Sequence, residues 1–150
     1  IINGAEDTLM EKQIVRQIGN TFIKRGVGFT MAVAMVTLVV AFTTSNEWIV
    51  IPTVIGSLYT LSMVIVEGLL WIRIASRSVD GLTTFYSAVS GFRMLLTLAV
   101  MFGYYLACGR EEMLGFFCVF APFYVILLVH HSIYFGMKSK IIDQLNDENN

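Results

Sequence analysis

SAVSGFRMLLTLAVMFGYYLA, residues 87–107, is apolar nearly throughout and carries a single charge, Arg93. A helix needs ~20 residues to cross the ~30 Å hydrocarbon core of a bilayer, and this stretch has that length. Wound as a helix, it places Ser87, Gly91, Ala99, Gly103 and Ala107 at multiples of four on one side. Such a strip of small residues lets another helix backbone come close. Tyr86, Ser90, Arg93, Thr97 and Tyr104 recur at spacings of three, four and seven and form a polar seam on another side. Lipid tolerates neither an arginine nor such a seam facing it. The helix is therefore expected inside a bundle, with Arg93 aimed at a partner group or snorkelling to the headgroups.

The rest of the chain has the same character. Its 150 residues are 56% hydrophobic and 14% charged, with a formal net charge of -1, and the mean hydropathy is +0.72. Soluble domains are about one-quarter charged, so this balance points to a membrane protein with the lipid bilayer as its first partner. With no basic excess to neutralise phosphates, the charge balance argues against a nucleic-acid partner.

Residues 26–44, 48–72 and 114–136 are further apolar runs of membrane-spanning length. The expected fold is all-α: a polytopic membrane protein with four transmembrane helices, about 26–44, 48–72, 85–107 and 114–136. Trp48 and Trp71 bound the second span in the manner of interfacial anchors, Pro52 sits in its first turns, and Pro122 can kink the fourth. Residues 1–25 precede the spans. Leu9, Met10, Ile14, Ile18 and Phe22 recur there at helical spacing, with Glu11, Lys12, Arg16 and Lys24 largely between them, so an amphipathic helix is expected that runs directly into the first span; lying on the cytoplasmic surface is its plainer reading and docking onto a partner the sharper one. Residues 137–150 read as a cytoplasmic polar tail with a disordered NDENN end.

Orientation follows from the basic residues flanking the spans. Lys12, Arg16, Lys24, Arg25, Arg73, Arg77, Lys138 and Lys140 fall on one side and only Arg110 on the other, eight against one. The positive-inside rule then places both termini in the cytoplasm. No internal repeat is seen, which weakens an inverted-repeat transporter reading. No removable signal peptide is visible, since the first apolar run lies well inside the chain and lacks a small-residue cleavage pattern. Cys108 and Cys118 flank the last polar turn and are read as packing residues rather than a disulfide.

Ionisable residues on three spans fall at one depth. Glu67 is six residues before Arg73, ~9 Å in from the helix end; Arg93 is eight after Phe85, ~12 Å in; His131 is seven before Lys138, ~10 Å in. An isolated charge there costs several kcal/mol, so an ion pair of Glu67 with Arg93 is expected, with His130 or His131 nearby. Thr53 and Thr60 continue a polar line along the second span from Glu67. An ion pair that locks helix register is the plainer reading of this group; a transport or proton-relay role is the sharper one. Adjacent His130 and His131 point about 100° apart on a helix and do not share a metal, and no metal or other cofactor is expected. Walker, dinucleotide-glycine, HExxH and nucleophile-elbow motifs are missing, so an enzyme is not expected.

At GFRMLLTLAVMF, residues 91–102, the sequence resembles the ATP synthase protein I family of small four-span membrane proteins, in particular its divergent Bacteroidetes-type forms. Arg93 stands where that family commonly carries a lysine or arginine near the start of its third helix. Many members carry a glutamate three residues earlier; here that position is Ser90, and Glu67 on the preceding helix supplies an acid instead. The resemblance implies a non-catalytic accessory protein of the bacterial inner membrane that helps assemble the membrane rotor ring of a rotary ATP synthase, with the rotor subunit as partner. Magnesium supply has also been attributed to the family. Two other expectations stand beside it: a small oligomeric ion transport or channel subunit using Glu67 and Arg93, and a structural membrane protein with an unrelated partner.

Overall fold

The computed structural model describes residues 2–77 and 81–148. These form four helices, α1 (Ile2–Thr43), α2 (Val50–Ala75), α3 (Gly81–Cys108) and α4 (Met113–Glu148), with a single 3-10 turn at Glu47–Ile49 before α2. No strand occurs among the described residues. Each helix is long and apolar enough to cross a membrane, and Phe42, Leu95, Leu106 and Leu114 are among many large apolar side chains left on the outside of the bundle. A surface of that kind is matched to lipid rather than water.

Helix ends follow local chemistry. α1 closes with Ser45 in the left-handed region at φ 54°, while the Asn46 amide reaches back to the Ala41 carbonyl at 3.0 Å. This satisfies a carbonyl that the helix end leaves open. α3 closes on Gly109 at φ 84°, where a side chain would be strained. Within the helices, Thr30 and Thr53 turn their hydroxyls onto the carbonyls four residues earlier, each at 2.8 Å. Polar side chains are thereby satisfied without a partner helix.

α2 touches all three other helices and α4 does likewise, whereas α1 and α3 do not meet among the described residues. The bundle is thus a central α2/α4 pair flanked by α1 and α3. Aromatic rings fill its middle: Phe22, Trp71 and Phe135 stack together, with Phe135 4.2 Å from Phe22 and 5.2 Å from Trp71 between centroids. α1 packs closely on α2. Gly19 and Gly26 lie directly on the side chains of Ile72 and Val64, and Gly68 lies on Ile23, where any Cβ would collide. Gly56 of α2 lies in the same way on Phe123 of α4, and Gly115 of α4 on Trp48, so small residues on α1, α2 and α4 permit close packing inside this chain.

Several expectations are corrected. The amphipathic stretch at residues 2–25 runs directly into the first span, as expected, but part of it packs into the bundle instead of lying free on a surface. It is the first part of a single 42-residue α1, ~63 Å long at 1.5 Å per residue. Nothing in it breaks the helix, and Val15, Gly19 and Phe22 are buried in the bundle while Leu9 and Met10 remain exposed. Trp71 is not an interfacial anchor: it is wholly buried, stacked on Phe135, with its indole N–H donated to the Tyr86 hydroxyl at 3.4 Å. Trp48 is exposed. The polar end of the chain continues α4 to Glu148, since Lys, Gln and Leu favour a helix that no Pro or Gly interrupts after Gly136. Of the NDENN end, residues 149–150 lie outside the described residues, as do residues 78–80 of the α2–α3 link.

Candidate functional site

Among the described residues, the one buried cluster of charge is assembled from three helices. Glu67 comes from α2, Arg93 from α3 and His131 from α4, at 1%, 3% and 8% exposure. Arg93 donates both Nε–H, at 3.0 Å, and Nη2–H to Glu67 Oε1. His131 Nδ1 stands 2.8 Å from the other oxygen, Oε2. A carboxylate only accepts, so the proton of this contact belongs to Nδ1. Both carboxylate oxygens are then satisfied, and the Arg93 charge is opposed by that of Glu67. That is the condition under which buried ions persist in an apolar surround.

Each member is held by its neighbours. The Arg93 carbonyl accepts from Thr97 Oγ1 at 2.8 Å and from the Tyr59 hydroxyl at 3.3 Å, which fixes this turn of α3 against α2. The His131 ring meets Tyr86 and Phe135 edge-on, with centroids 5.9 Å and 5.0 Å away. On the outer side, Met63, Leu70, Phe85 and Phe92 wall a groove of about 660 Å³ between α2 and α3, with Glu67 among its lining residues.

The other residues singled out by sequence are placed elsewhere. His130 does not join Glu67: its ring stacks on Phe22, 4.6 Å between centroids, and its Nε2 meets the Phe22 carbonyl at 3.2 Å. The reason is helical rotation, since Leu127, His131 and Phe135 form the buried stripe of α4 at spacing four and His130 lies off it. Thr53 and Thr60 are buried on the same helix as Glu67, but the Thr53 hydroxyl is tied to Ile49 and the Thr60 hydroxyl has no hydrogen-bond partner. Among the described residues, no continuous hydrogen-bonded path leads from them to the triad.

Ser87, Gly91, Ala99, Gly103 and Ala107 all face outward from α3, and among the described residues no other helix packs on them; a Cβ at Gly91 or Gly103 would meet open space. Leu95, 67% exposed, stands in the middle of this strip. It divides the strip into a Ser87–Gly91 patch and an Ala99–Gly103–Ala107 patch. Cys108 and Cys118 are free thiols, both exposed. Among the described residues no group of His, Cys, Asp or Glu side chains is gathered to hold a metal ion.

Sequence reasoning missed the cage of Phe22, Tyr86 and Phe135 around the histidines, and the close-packed Gly19, Gly26 and Gly68. Gly19 and Gly26 are seven apart, a repeat that marks one helix face and was legible beforehand. In comparisons with known proteins, the chain matches no family model, no curated protein and no solved structure.

Proposed function

We propose that this chain is a non-catalytic integral membrane accessory protein that receives a transmembrane helix of a partner on the outer face of α3. The observation that carries the reading is that the Ala99–Gly103–Ala107 patch is turned away from the bundle and left uncovered, while the ionisable residues are closed inside. Outside water, helices associate through close packing at small residues, and a patch of this kind lets a partner backbone approach. The resemblance at residues 91–102 makes a rotor subunit of a rotary ATP synthase the first partner to test, with the chain acting in assembly of the rotor ring in a bacterial inner membrane and both termini cytoplasmic. The triad then serves to hold α2, α3 and α4 in register. A transport role would ask for a polar path that the capped Thr53 hydroxyl and the fully engaged Glu67 do not favour.

A photo-crosslinker at Gly103 in native membranes tests the reading. Crosslinks to the rotor subunit are expected, and Gly103→Leu lowers co-purification of that subunit. Crosslinks to lipid alone, or rotor rings forming at normal yield after deletion of the protein where no paralogue substitutes, would overturn it.

A further inference from the structure

We infer that the outer groove between α1 and α4 is a binding site for one anionic membrane phospholipid, with its phosphate headgroup on Arg25. The groove encloses about 740 Å³. One wall is Phe29 of α1; the other is a ladder on α4, where Val125, Val129 and Ile133 follow one another by single turns. From Val125 to Met137 the groove runs twelve residues, ~18 Å at 1.5 Å per residue. One leaflet of a ~30 Å hydrocarbon core is ~15 Å deep, so an acyl chain matches its length.

The polar groups are gathered at one end. Arg25 lies exposed with its guanidinium carbon 5.9 Å from the centre of the Tyr134 ring. That ring is itself fixed, because its hydroxyl donates to the Ile18 carbonyl at 2.9 Å. Arg25 forms no ion pair among the described residues, and Lys24 beside it is exposed as well. His130, in the groove wall, has its Nε2 engaged by Phe22. The groove thus offers an apolar channel ending in unneutralised positive charge. Its complement is an acyl chain ending in a negatively charged phosphate. The α2–α3 groove differs on this point, since its single charge, Glu67, is already neutralised by Arg93.

The test uses the full chain, purified in detergent, delipidated and titrated with dioleoyl phosphatidylglycerol or dioleoyl phosphatidylcholine, with bound lipid counted by native mass spectrometry. The expected result is preferential retention of phosphatidylglycerol. Arg25→Gln weakens that retention about fivefold, the loss expected for one basic side chain at an anionic surface; Val129→Phe, which fills the channel from an exposed position, weakens retention of both lipids. Arg110→Gln, in the loop at the other end of the bundle, leaves it unchanged. Equal retention of the two lipids, or retention unaltered by Arg25→Gln or Val129→Phe, would overturn the inference. So would a crosslink from Val129 to a partner's transmembrane helix in native membranes in place of lipid.

Discussion

Removing the charge at position 67 is the sharpest perturbation of this fold. In Glu67→Gln the shape is kept, but Arg93, at 3% exposure, loses the only carboxylate that it meets among the described residues. Breaking a buried pair by removing one partner costs about 3–5 kcal/mol, because the other charge stays buried and uncompensated. Two features place this case near the lower bound. The substituted amide still offers a carbonyl oxygen to Arg93, and its nitrogen can donate to His131 once the imidazole adopts its other tautomer. At about 2–4 °C per kcal/mol for a chain of this size, a loss of about 3 kcal/mol lowers Tm by about 6–12 °C. The assay is thermal unfolding in nanodiscs followed by tryptophan fluorescence, in which buried Trp71 beside Phe135 reports on the same region. The second arm is Glu67→Gln combined with Arg93→Met. Replacing a buried ion pair by uncharged groups of similar volume is often neutral, so the double variant is expected to be more stable than Glu67→Gln alone. A loss below about 1 kcal/mol for Glu67→Gln, or a double variant whose loss equals the sum of the two single losses, would refute the reasoning.

Two further outcomes follow from the packing. His131→Ala leaves Glu67 Oε2 without a donor and costs about 1–3 kcal/mol, while His131→Asn, whose amide nitrogen can stand near the place of Nδ1, recovers part of it; equal losses for the two variants in the same unfolding assay would contradict the hydrogen-bond assignment. Gly19→Ala drives a methyl into Ile72 and costs about 1–3 kcal/mol, whereas Gly91→Ala meets open space and stabilises α3 by up to about 1 kcal/mol; the same sign for both would contradict the α1–α2 crossing.

Much of this architecture was readable beforehand because apolar length is a local property. The four runs gave the number of helices, and Glu67, Arg93 and His131 fell at one depth by counting residues from the helix ends. What went astray concerned rotation and partners. Trp71 has the position of an interfacial anchor, yet lies beneath Tyr86 and Phe135 because that face of α2 points at α4. The strip on α3 has the composition of a packing face, yet the crossings that need glycine formed between α1 and α2 and between α2 and α4.

The sequence by itself determined that the chain is helical and apolar over four membrane lengths, and that its few buried charges are close to balanced. Those properties depend on residue type and count along one segment. Only the tertiary structure decided that His131 rather than His130 meets Glu67, that the amphipathic start of α1 buries Val15 and Phe22 in the bundle, and that α3 keeps its small residues outward. Each of these depends on how helices rotate about their axes when they pack. That rotation is set by side chains from several segments at once, and no one segment contains it.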